Sequence, residues 1–260
     1  MESIGTWWLW AAFAAIVVTM LLVDLFAFGG GKQHRVSLKE AAGWSLAWVT
    51  VAMLFAAGLW WYLDGTLGRA LANEQATAFV TGYLVEKSLA VDNIFVFLLL
   101  FTFFGVPEEQ GQRVLIIGIL LALVLRAVLI FVGAALLAQF HWLLYVFGAF
   151  LLLTGIKMWF AAGKEPDLDK NPVLRWITGH LPLINRYHGD ALWLGRGKRR
   201  RYTPLFVVLV MIAVTDVIFA VDSIPAIFAI TLDPFIVLTS NVFAILGLRA
   251  MFFLLQAVAS

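Results

Sequence analysis

Apolar positions in this chain do not alternate or follow a helical stripe; they gather in unbroken runs cut by short polar punctuation. A bilayer core about 30 Å thick takes roughly 20 helical residues to cross. By that ruler seven transmembrane helices are predicted, at about 6–28, 41–63, 77–103, 113–137, 141–161, 204–231 and 235–258. Breaks fall at Gly29-Gly30-Gly31, at Val106-Pro107-Glu108-Glu109 and at Asp233-Pro234. The expected fold is an all-α polytopic membrane protein. It forms one domain over 1–260, with a first half at 1–161, a polar cytoplasmic loop at 162–203 and a second half at 204–260. Composition agrees. The chain is 63% hydrophobic and 13% charged, against an apolar share of roughly 45–50% in soluble domains. The first run contains Asp24 and lacks a basic leader and an Ala-x-Ala site, so it reads as a retained helix rather than a signal peptide.

Charge orients the helices. Of the 18 Lys and Arg, thirteen fall in the loops 29–40, 104–113 and 162–203 on one side, and only Arg69 lies on the other. The positive-inside rule then puts the N-terminus outside and loop 162–203 in the cytoplasm. The run Arg196-Gly-Lys-Arg-Arg-Arg201 reads as a topology determinant with some attraction for anionic lipid, not as a nucleic-acid site. Trp7, Trp8, Trp10, Trp60 and Trp61 sit at outer helix ends, as an aromatic belt does.

Within the third and sixth runs one phrase occurs twice, Glu86-Lys-Ser-Leu-Ala-Val-Asp92-Asn-Ile and Asp216-Val-Ile-Phe-Ala-Val-Asp222-Ser-Ile. An ionisable group at the bilayer centre costs roughly 2.5–3.5 kcal/mol on insertion scales, so four such acids need a compensating role. Three spans separate the copies, which must therefore cross in opposite directions. Leu125-Arg126-Ala127 and Leu248-Arg249-Ala250 each follow one helix later, extending an inverted repeat over helices 3–4 and 6–7. Such repeats place substrate sites at the midplane of secondary transporters. The first half goes on to a further span, Tyr145 to Lys157, whereas the second stops at Ser260, which reads as a C-terminal shortening.

The chain has no Cys, so thiolate chemistry is excluded. His34, His141, His180 and His188 lie in loops or at helix ends. What remains near the acids is oxygen: Glu86, Asp92, Asp216 and Asp222 as the candidate metal site, with Asn93, Asn241 and Ser223 beside them. Hard donors of this kind suit Mn²⁺, Ca²⁺ or Mg²⁺. Six residues along a regular helix turn about 600°, leaving the two acids of each motif about 120° apart. Either the helices break near Asp92 and Asp222, where Pro225 would favour it, or one acid of each pair binds while the other serves the entry path. A purely structural network, with Arg126 and Arg249 neutralising Asp92 and Asp222, is one reading; the other makes the two arginines resident counter-charges to the acids. In that role they pair with the acids in the empty site and release them to an arriving ion. Asp24, deep in the first helix, is either an interfacial group or a further ligand.

The run from Thr203-Pro-Leu-Phe through the Asp216 and Asp222 motif to Asp233-Pro-Phe-Ile and Asn241-Val-Phe-Ala-Ile-Leu-Gly-Leu-Arg249-Ala resembles the TerC family, particularly its Alx branch, as does Glu86-Lys-Ser-Leu-Ala-Val-Asp92-Asn. The resemblance covers essentially the whole chain. It implies a bacterial inner-membrane protein of the LysE-like transporter superfamily associated with manganese export and, historically, tellurium resistance. The family's functional acids then fall on Glu86, Asp92, Asp216 and Asp222. Two departures stand out: Ala213 occupies a position where relatives often carry an acid, and relatives usually continue for two more spans.

These readings converge on a transporter, not an enzyme. It would export Mn²⁺ by alternating access through a midplane carboxylate site, with protons as a candidate coupling ion and Ca²⁺ as a second candidate substrate. A membrane partner that supplies Mn²⁺ to exported metalloproteins without transporting it is the alternative. Oligomeric state is left open by the sequence.

Overall fold

A computed structural model describes residues 3–29, 37–161, 171–189, 191–195 and 199–259. The elements run α1 (Trp7–Gly29), α2 (Leu38–Thr66), α3 (Arg69–Phe104), α4 (Glu108–Gln139), α5 (Leu143–Ala161), α6 (Pro172–His180), β1 (Trp193–Leu194), β2 (Arg201–Tyr202), α7 (Pro204–Phe228), α8 (Pro234–Leu246) and α9 (Leu248–Ala259). The fold is all-α and polytopic. Six segments are long and apolar enough to cross a membrane: Trp7–Phe26, Leu38–Thr66, Arg69–Phe104, Gln110–Gln139, Pro204–Phe228 and Pro234–Gln256. The fifth predicted span is helical as α5, but is shorter than these.

Helix ends follow local chemistry. Ser37 caps α2 by accepting from the Glu40 N–H, as expected for a hydroxyl ahead of a helix that starts Leu-Lys-Glu. The α3 helix stops at Gly105, whose φ of 58° is left-handed, and Pro107 follows to prevent resumption. Asp233 caps α8 through Phe235 N–H while Pro234 takes the first helical position. Asp233 also accepts from Ser3 Oγ at 2.8 Å and Ile4 N–H at 2.7 Å, which fastens the N-terminal segment across that end of the bundle.

The interior is organised around the last hairpin. From Phe235 to Ala250 every side chain but that of Gly247, which has none, is buried, and α8 packs against α1, α2, α3, α4 and α7 while α9 packs against α2, α3 and α4. Phe13, Phe55, Phe79, Phe235 and Phe243 mesh ring against ring around it. On the perimeter, large apolar side chains such as Leu46, Leu54, Val124, Leu152 and Leu153 are exposed. An apolar outside around a packed inside is what lipid requires.

Of the two arrangements the sequence allows, the one with helix breaks near Asp92 and Asp222 does not occur. The α3 helix is continuous for 36 residues, and α7 runs through Pro225 to Phe228. Pro225 lies less than one turn from the end of α7, where losing one donor frees a single carbonyl and neighbouring helices hold the chain in place. The break falls instead at Gly247, between α8 and α9. There Lys87 Nζ donates to Ala244 O at 3.2 Å, satisfying a carbonyl that the ending helix leaves open. A side chain at Gly247 would meet that ammonium 2.5 Å away.

Candidate functional site

Arg126 is the hub. It sits on α4 between Gly118 and Gly133, whose missing side chains let α4 close on Ile212 and Phe228 of α7; a Cβ there would stand 3.1 and 3.0 Å from them. This approach brings the guanidinium into reach of both acid motifs. Arg126 Nη2 donates to Asp216 Oδ1 at 2.9 Å, Nε is shared between both Asp216 oxygens at 3.3 Å, and Nη1 donates to Glu86 Oε1. With the Asn93 amide turned so that its nitrogen donates to Leu89 O at 3.2 Å, its oxygen accepts from Arg126 Nη2 at 3.3 Å. Glu86, Arg126 and Asp216 are all essentially without solvent exposure. Isolated buried charges cost several kcal/mol each, so this cluster survives only because each member is paired.

The two acids of each motif differ in setting, as the 120° turn between them requires. Glu86 and Asp216 are buried, whereas Asp222 is half-buried and Asp92 exposed. Both less buried acids line one cavity of about 200 Å³ between α3, α4 and α7, together with Glu86, Leu89, Asn93, Arg126, Phe219 and Ser223. Two oxygens in this wall lack a hydrogen-bond partner among the described residues, Glu86 Oε2 and Ser223 Oγ. Buried polar atoms are rarely left so unless something outside the chain satisfies them. Counting the four acids against Arg126 and against Lys157, whose charge acts on Asp222, leaves a formal charge of two negative at the cavity.

The pairings of Arg126 with Asp92 and of Arg249 with Asp222 that a purely structural network would make do not occur. Arg126 takes the buried acids, and Arg249 Nη1 bonds Asp24 instead, at 3.3 Å to Oδ2 and 3.1 Å to the backbone oxygen. Lys87 also faces away from the cavity, toward Trp48 and Ala244. Asp24 and Arg249 thus pair α1 with α9, and Lys87 reaches α8, all outside the cavity lining. Asn241, expected near the acids, is fully buried in α8, outside the cavity lining, and its amide makes no hydrogen bond among the described residues. No group of three or more His, Cys, Asp or Glu among the described residues is close enough to hold a metal by carboxylates and imidazoles alone.

At the end opposite the Asp233 cap, Tyr187 O–H donates to Phe104 O at 2.7 Å and ties the connector to α3. Arg200 lies over the Trp193 ring, 4.6 Å from its centre. His34 and Arg196, with the Gly-Lys that follows, lie outside the described residues.

A helical multi-pass membrane protein with a carboxylate cavity between facing motifs is thereby defined. The chain belongs to the TerC family of integral membrane proteins, whose pattern matches residues 71–260. It is 55% identical over its whole length to a protein of Salmonella typhi named "Putative membrane-bound redox modulator Alx", covering 80% of that protein. A protein of the same name from Escherichia coli K12 is 53% identical over the same span, covering 81% of it. "Uncharacterized membrane protein STKORF319" of Myxococcus xanthus is 47% identical over 97% of this chain and 76% of its own. No solved structure matches the chain.

Proposed function

We propose that the protein carries a divalent cation, Mn²⁺ foremost and Ca²⁺ second, out of the bacterial cytoplasm by alternating access through the cavity between α3 and α7. The observation that carries this reading is the cavity wall. Asp92, Asp222, the free Glu86 Oε2 and Ser223 Oγ are all hard oxygen donors, and the net charge is negative. A divalent ion would neutralise a formal charge of minus two. At a liquid share of roughly 30 Å³ per water, six waters need about 180 Å³, so a cavity of about 200 Å³ accommodates an ion that keeps much of its hydration. That suits a small divalent ion, which sheds water reluctantly.

Arg126 in this scheme holds the buried acids at fixed positions, and Asp92 and Asp222 meet the ion. The bias of loop charge toward the 162–203 side supports an inner-membrane orientation with the N-terminus outside. Protons exchanging on the less buried acids would provide coupling. The redox term in the relatives' name fits an indirect effect through metal supply, because the chain has no Cys with which to exchange thiols. Cellular Mn content in a strain relying on this protein tests the reading. Asp92→Asn and Asp222→Asn should raise it to the level of a strain lacking the protein; Mn as low as with wild type would overturn the proposal.

A further inference from the structure

A second, larger cavity of about 1070 Å³ opens at the Asp233 end of the bundle. Thr77 and Thr81 of α3, Glu74 below them and Ala229 at the end of α7 are in its wall. Nothing in the acid cavity's geometry requires this space. Its relation to that cavity follows from the helical registers of α3 and α7.

Between Thr77 and Asp92 the exposed positions of α3 are Thr77, Thr81, Leu84, Ser88 and Asp92, spaced by three or four residues and so aligned on one face. The first two line the outer cavity and the last lines the acid cavity. Facing them on α7, Phe219 and Asp222 line the acid cavity, Ala229 lines the outer one, and Ala226 lies between on the same face. At 1.5 Å per residue, Thr81 to Asp92 spans about 16 Å on α3 and Phe219 to Ala229 about 15 Å on α7. The two helices pack together, and the outer cavity joins the start of α3 to the end of α7 while the acid cavity lies further along α3 and earlier on α7, so they run in opposite senses and the spans coincide.

An exposed hydroxyl on a transmembrane helix is ordinary by itself. Thr19 and Thr50 each donate to the carbonyl four residues back and adjoin neither cavity. Ser88 does the same, to Leu84 O at 2.8 Å. That bond occupies its proton and leaves its lone pairs turned outward, the polarity a cation prefers. What distinguishes Thr81 and Ser88 is position, in line with Asp92 and between two cavities.

We infer that a polar groove between α3 and α7, floored by Thr81 and Ser88 and kept open by the small side chain of Ala226, joins the outer cavity to the acid cavity and is the cation's route to that face. The inference rests on the transport reading for its cargo but not for the groove itself. The absence of Cys makes a direct test simple, since single cysteines can be introduced without background. Thr81→Cys and Ser88→Cys, with Thr19→Cys and Thr50→Cys as controls, are exposed in right-side-out vesicles to a charged, membrane-impermeant thiol reagent. Both groove positions should be modified while both controls resist, Mn²⁺ should slow modification at Ser88→Cys, and modification there should abolish Mn²⁺ flux. Monodisperse size-exclusion profiles establish folding for each variant. If Ser88→Cys resists as the controls do while the protein transports Mn²⁺, the groove is refuted and the transport reading stands. If both groove positions react but no Mn²⁺ moves, the groove stands and the cargo assignment fails.

Discussion

Replacing Arg126 with Gln removes the one cation among the described residues that pairs with Glu86 and Asp216, and leaves two buried carboxylates without it. Breaking a buried ion pair by deleting one partner costs about 3–5 kcal/mol, because the survivor stays uncompensated. For a chain of this size each kcal/mol moves the thermal midpoint by about 2–4 °C, so the variant should unfold roughly 6–20 °C below wild type. This revises the expectation that Arg126 is a mobile counter-charge, since a guanidinium with nearly every N–H committed is a fixed strut. The assay is thermal unfolding in detergent, followed by tryptophan fluorescence, across the cycle Arg126→Gln, Glu86→Gln and both together. Glu86→Gln alone leaves the Asp216 pair intact and should cost less. In the double variant a single buried acid remains unpaired, so much of the loss should return, giving a coupling energy of at least about 1 kcal/mol. An Arg126→Gln midpoint within about 2 °C of wild type, or strictly additive costs, would refute the reasoning.

Other substitutions separate packing from chemistry. Asp222→Asn removes a half-buried acid that makes no ion pair among the described residues, so it should abolish cation flux yet shift stability by less than about 1 kcal/mol, as read by paired transport and melting assays. Gly82→Ala puts a methyl 2.9 Å from Ser240 Oγ and 3.3 Å from its Cβ, wedging α3 from α8; a loss of about 1–3 kcal/mol is expected in the same melts. Tyr187→Phe deletes the bond to Phe104 O and should cost about 1 kcal/mol and speed proteolysis of the connector. Burial pushes the Tyr187 phenol up from its ordinary 10.0. The folded form therefore keeps its proton where the unfolded chain loses it, so this contribution is full below the ordinary value of 10.0 and is lost as the pH rises from there through the raised folded value, a difference that alkaline melts of wild type and Tyr187→Phe would reveal.

Much of this architecture could be read from sequence because lipid imposes a length on every span and a penalty on every charge. The α2, α3, α4 and α7 helices appear where the apolar runs lie, and the two acids of each motif take different environments because a regular helix turns them apart. Charge partners were less legible. Matching Leu-Arg-Ala tripeptides suggest matching roles, yet Gly118 and Gly133 let α4 reach the buried acids, while the Gly247 break turns Arg249 toward Asp24. The glycines flanking Arg126 were the available signal, but their meaning depends on what α7 places opposite them. Pro225 drew attention as a breaker although its position near a helix end makes it harmless. Gly247, which has no side chain, opens the helix where Lys87 can fill the gap.

The central claim is that the oxygen-lined cavity between α3 and α7 passes a divalent cation. Mn²⁺ flux in proteoliposomes containing the purified protein, compared with Asp92→Asn and Asp222→Asn preparations of equal thermal stability, tests it most directly. The account predicts saturable Mn²⁺ movement with wild type and its loss in both variants. Equal flux through wild type and variants, or none through well-folded wild type under an imposed Mn²⁺ and proton gradient, would contradict it.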